Sequence, residues 1–167
     1  MIFPFTLLSV ACLLFLSPAQ GAERSGDAAF VDSCQEHART AIALESESLS
    51  QIEIASGEER FNLYRAYDRF LGTWLQVERL QAQLAVAIEA DSSVEEEEAR
   101  TTLRDQARFV LLDLEQAEGD LERNTPALER PDHFRINQAI RRLLAEVRTA
   151  VGRLLSEQWA HPSRAVP

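Results

Sequence analysis

Lysine is absent; all 17 basic side chains are arginine. Without an ε-amino group the chain can form no Schiff base and offers no phosphate-loop lysine. Methionine occurs once, as Met1, so a thioether ligand for haem iron has no source after the initiator. Cysteine occurs twice, as Cys12 and Cys34, and histidine three times, as His37, His133 and His161. Covalent c-type haem needs a Cys-x-x-Cys-His run, and "CQEH" at Cys34–His37 is one thiol short. Di-iron bundles need Glu-x-x-His on two helices, and no histidine here has an acid three residues before it. Nucleophilic hydrolases need a Gly-x-Ser-x-Gly elbow, which is also absent. No stretch alternates apolar and polar residues as a half-buried strand does.

Long hydrophobic runs are lacking beyond Leu16. The uncharged run from Ile2 to Leu16 is shorter than the roughly 20 apolar residues of a membrane span. Small residues follow it in Ser17-Pro18-Ala19 and Ala19-Gln20-Gly21, where a signal peptidase needs them. This pattern predicts a secretory signal peptide over 1–21, with no membrane span after its cleavage. The expected location is periplasmic or secreted, in a bacterium. Removal of the leader takes Cys12 away. Cys34 is then alone, so no internal disulfide can form and the core must hold the fold. An uncleaved leader would serve instead as an anchor.

The formal net charge is −10. An acidic surface repels nucleic-acid phosphates and anionic lipid headgroups alike, so neither is an expected partner.

Four segments carry apolar residues at helical spacing. The first spans about 27–55, with a seam of Val31, Cys34, Ala38, Ala41, Ile42, Leu49 and Ile52. The second spans about 58–90, with Leu63, Tyr67, Phe70, Trp74, Val77, Leu84 and Ile88, widened by Tyr64, Leu71, Leu75 and Leu80. The third spans about 94–123, with Leu103, Ala107, Val110, Leu114, Ala117 and Leu121. The fourth spans about 133–160, with Ile136, Ile140, Leu143, Val147, Val151, Leu154 and Trp159, widened by Leu144 and Leu155.

The residues between these segments agree. Gly57 suits the left-handed turn that ends a helix. Ser92 with Glu95, or Ser93 with Glu96, makes a capping box, and the acids Glu95 to Glu98 then face the positive end of a helix dipole. Pro126 and Pro131 interrupt the longest connection, and Asp132 is the expected N-cap of the fourth helix. A stripe two residues wide must bury against more than one neighbour, which favours a closed bundle over a two-stranded coiled coil. The expected fold is therefore all-α: an up-down-up-down antiparallel four-helix bundle over 22–160, followed by a disordered tail, 161–167. The first and third helices are acidic and the fourth is basic, a pattern that sets the fourth between the other two.

No catalytic, cofactor or metal-ligating set emerges from these residues. Cys34 and His37 share a helix face, but a closed zinc site needs four ligands. Cys34 reads as a small core hydrophobe, and His37 reaches solvent or a neighbouring acid. Cys34 is also the only thiol through which two mature chains could form a disulfide. Glu45 falls among seam positions, where it would meet an arginine or line a polar pocket. The expected function is protein–protein binding in the cell envelope through an exposed helix face, without catalysis and without a cofactor. The partner is an envelope protein or a second copy of the chain in a homodimer. The alternative is a small-molecule sensing or carrier bundle, with a ligand cavity lined by Tyr64, Tyr67, Trp74 and Glu45.

Overall fold

Seams with steps of three and four residues turn each segment into a helix with one apolar face, and four such faces close on one another. The computed structural model describes residues 26–89 and 96–157. They form α1 (Gly26–Ile54), α2 (Gly57–Glu89), α3 (Glu96–Asn124) and α4 (Pro131–Glu157), with one 3-10 turn at Thr125–Ala127. The leader, the Ser92 and Ser93 capping boxes, Trp159, His161 and the tail lie outside the described residues.

The helices run up, down, up and down. α1 packs against α2 and α4, and α3 packs against the same two, so α1 and α3 lie on one diagonal. The basic α4 therefore sits between the two acidic helices. Arg141 reaches Glu122 and Arg148 reaches Glu118 on α3, while Arg135 reaches Glu47 on α1. Arg69 ties α2 to Asp113 and Asp120 on α3. Such exposed pairs contribute little stability and act mainly on the choice of neighbour.

Gly57 has φ +59°, the left-handed conformation that reverses the chain after α1. Pro131 is already the first helical residue of α4, since the proline ring presets φ and its missing N–H is not needed there. That displaces Asp132 from the expected N-cap into the first turn, where its carboxylate still faces the positive dipole end.

The seams of α3 and α4 are buried as the spacing predicts, from Leu103 to Leu121 and from Ile136 to Leu154. α1 and α2 differ. Ile42, Leu49, Tyr64, Leu75 and Ile88 are exposed, and Phe30, Leu44, Asn62, Ala66 and Thr73 turn inward instead. At about 100° per residue, Ile42 and Leu49 lie about 60–80° to the α2 side of Cys34. Leu44, which takes the inward place, lies about 80° to the α4 side. α1 is thus rotated toward α4. By the same measure α2 is rotated toward α3, and the groove between α1 and α2 keeps apolar side chains that neither helix covers.

Candidate functional site

At the end of the bundle where α1 turns into α2, polar side chains enter the core. His133 is fully buried, and its Nδ1–H donates to Glu59 Oε1 at 2.6 Å. The same carboxylate oxygen accepts the Arg130 backbone N–H at 3.2 Å. Asn137 Nδ2 donates to the Leu121 carbonyl in the last turn of α3 and to Thr125 Oγ1 just beyond it. Asn124 Nδ2 donates to the Asn62 carbonyl on α2. These contacts bind three helix ends together, while His133 Nε2 and Asn137 Oδ1 are buried with no hydrogen-bond partner among the described residues.

Cys34 and His37 stand apart in role. Cys34 is 1% exposed, and burial pushes its thiol up to about 12. His37 points outward: Nε2–H donates to Glu146 on α4 at 3.2 Å, and the Ser33 hydroxyl donates to Nδ1 at 3.4 Å. His37 thus reaches a neighbouring acid. Among the described residues no three His, Cys, Asp or Glu side chains gather as a metal site would require. No described helix is long and apolar enough to cross a membrane.

The aromatic and acidic residues of α1 and α2 are only partly brought together. Among the described residues Glu45 meets no arginine; it accepts the Tyr67 hydroxyl at 3.2 Å. Burial, the Glu45 charge and this hydrogen bond push the Tyr67 phenol up to about 12. Trp74 is buried against Phe70, and its Nε1–H donates to Glu78 at 2.8 Å. Tyr64 faces solvent.

Two hydrogen bonds set the register of α1 against α2: Tyr67 to Glu45, and Gln81 Nε2 to the Val31 carbonyl. From Glu45 back to Val31 is the same number of residues as from Tyr67 on to Gln81, as an antiparallel pair requires. Ile42 is therefore level with Phe70 and Leu71, and Leu49 with Leu63 and Tyr64. Exposure is 57% for Ile42, 42% for Leu49, 54% for Tyr64 and 49% for Leu75. With the half-buried Leu71 they make one apolar strip along the α1–α2 groove. Sequence reasoning assigned these residues to the core. Their surplus was the available clue, because α1 and α2 carry more apolar side chains at the inward edge than two neighbours can cover.

A second concavity, of about 460 Å³, opens between α2 and α3. Leu80 and Val110 line it with Phe109, Arg79 and three glutamines, Gln76, Gln83 and Gln106. The Oε1 atoms of Gln83 and Gln106 are buried without a hydrogen-bond partner among the described residues. Its lining includes none of Tyr64, Tyr67, Trp74 and Glu45. No protein-family model, curated protein or solved structure matches the chain.

Proposed function

We propose that this protein is an exported, non-enzymatic bundle that works by docking the α1–α2 strip onto a protein in the bacterial envelope. The exposed row of Ile42, Leu49, Tyr64 and Leu75 carries the reading. Single exposed apolar residues are ordinary, but a contiguous strip rimmed by polar side chains marks an interaction surface. Export rests on the leader-like residues 1–21. A photo-crosslinking residue at position 42 should join the protein to a partner chain in living cells. The same residue at position 142, on the exposed face of α4, should not. Equal capture from both positions, or none from either, refutes the reading. N-terminal sequencing of the envelope protein should begin between Gln20 and Ala22; an intact Ile2–Leu16 in washed membranes would make the segment an anchor.

A second reading, a small-molecule carrier, has the α2–α3 concavity in its favour. Its volume falls within the roughly 300–1,000 Å³ of small-ligand sites, and two buried amide oxygens await donors. Extracts of envelope small molecules should then raise the melting temperature, and Phe109→Ala should abolish the rise.

A further inference from the structure

We infer that the protein docked on the α1–α2 strip is a second copy of this chain, lying antiparallel, with a two-fold axis at Ser46. The inference rests on the reading of the strip as a protein-binding face.

Each of the two helices carries a second heptad-like stripe beside its core seam. On α1, Arg39, Ile42, Ser46, Leu49 and Glu53 follow one another by three, four, three and four residues, and all five are exposed. On α2, Phe61, Tyr64, Asp68, Leu71 and Leu75 repeat the same steps. A facing pair of helices would cover such stripes, and no further helix of the described chain lies over them.

The order of residues within the stripes selects the occupant. Reversal about Ser46 sets Arg39 of one copy against Glu53 of the other, twice by symmetry, and brings Ile42 to within one residue of the level of Leu49. Within its own chain neither Arg39 nor Glu53 has an ion-pair partner among the described residues. Ser46 is small and lies on the axis, where the two helices approach closest. By the register already derived, Ser46 is level with Ala66 on α2. Reversal about Ala66 sets Phe61 against Leu71, and the Tyr64 hydroxyl against the Asp68 carboxylate. Apart from Leu75, which falls opposite Gly57, the two stripes thus set apolar side chains near apolar ones and donors against acceptors about one axis, the self-complementarity an isologous contact needs. A parallel arrangement would stack Arg39 on Arg39 and Glu53 on Glu53. The stripes span roughly 20 Å along and 20 Å across two helices, on the order of 500 Å² per copy. That is below the roughly 800 Å² per partner of a standard interface, in the size range of weak, transient contacts.

Sedimentation of the protein expressed from its full sequence, from about 1 to 200 µM, should show a monomer–dimer equilibrium. Arg39→Glu and Glu53→Arg should each weaken it about tenfold, since each puts like charges opposite twice. The double reversal, Arg39→Glu with Glu53→Arg, should restore it. Ser46→Cys should give a disulfide-linked dimer across the axis, while buried Cys34 does not. All these positions are exposed, and unchanged circular-dichroism melts will show that the variants fold. Charge reversals that are neutral, alone and together, overturn the inference. So does a chain that stays monomeric throughout. If that monomer is still joined to a different polypeptide from position 42, only the second copy is lost and the docking strip stands. A monomer with no adduct from position 42 removes both.

Discussion

The ring of His133, at the start of α4, donates from Nδ1 to Glu59 in the first turn of α2 over 2.6 Å. The imidazole is fully buried, and its Nε2 has no hydrogen-bond partner among the described residues. Glu59 therefore holds the ring through Nδ1 alone and at the same time accepts the Arg130 N–H.

Removal of that carboxylate leaves a buried donor without a partner. Glu59→Ala should cost about 1–3 kcal/mol in urea unfolding. Glu58→Ala, one residue away on an exposed position, should change stability by less than about 0.5 kcal/mol. Equal effects would mean that the contact does not anchor the helix ends.

Leu143 is buried on α4, and its neighbour Arg142 is exposed. Leu143→Ala should lose about 2–5 kcal/mol, because the deleted methyls leave a cavity that the bundle closes only in part. Arg142→Ala should leave the melting temperature almost unchanged. The pair of melts measures the rotation of α4 directly.

Burial disfavours the Cys34 thiolate, which is the reactive form. Iodoacetamide at neutral pH should leave Cys34 unmodified in the folded protein and alkylate it fully in denaturant, as read by peptide mass mapping. Cys34→Ser should still fold, with a lower melting temperature, because a hydroxyl replaces a packed thiol. Rapid labelling of the native protein would contradict the packing role.

The chain has two tyrosines, Tyr64 and Tyr67. Tyr67 is held protonated up to about 12, by partial burial first and then by Glu45. In the unfolded chain its phenol ionises near pH 10. Between about pH 10 and 12 the unfolded state therefore loses this proton while the folded state keeps it, and stability falls across that window. Absorbance titration of tyrosinate should show one step near pH 12 that Tyr67→Phe removes. Glu45→Gln should move that step down. A titration that Glu45→Gln leaves unchanged would assign the shift to burial alone.

The inward seams of the two C-terminal helices were readable from the chain, from Leu103 to Leu121 and from Ile136 to Leu154. Each seam in α3 and α4 has polar residues on both flanks over most of its length, so spacing alone determines which side turns inward. In α1 and α2 the flanks are apolar as well. The pattern there is compatible with several rotations of each helix, and Ile42, Leu49, Tyr64 and Leu75 were assigned to the core for that reason. Glu45 at the seam was recognised as unusual, yet its partner is a phenol from another helix, which no local pattern contains. His133 was legible only as a residue near a helix end; its burial depends on Glu59, far away in sequence.

The amino-acid sequence by itself determined the number of helices, their limits to within a few residues, the reversal at Gly57 and the placing of basic α4 between acidic neighbours. These are local or pairwise matters: hydrophobic period, backbone freedom and the sign of charge. Tertiary structure alone decided how α1 and α2 are turned about their own axes. Rotation is a competition among all four helices for a finite core. The close-packed bundle accepts Phe30, Leu44, Ala66 and Thr73 inside. Interiors at that density have no room for further side chains, so the surplus of α1 and α2 stays on the surface, in one strip between them.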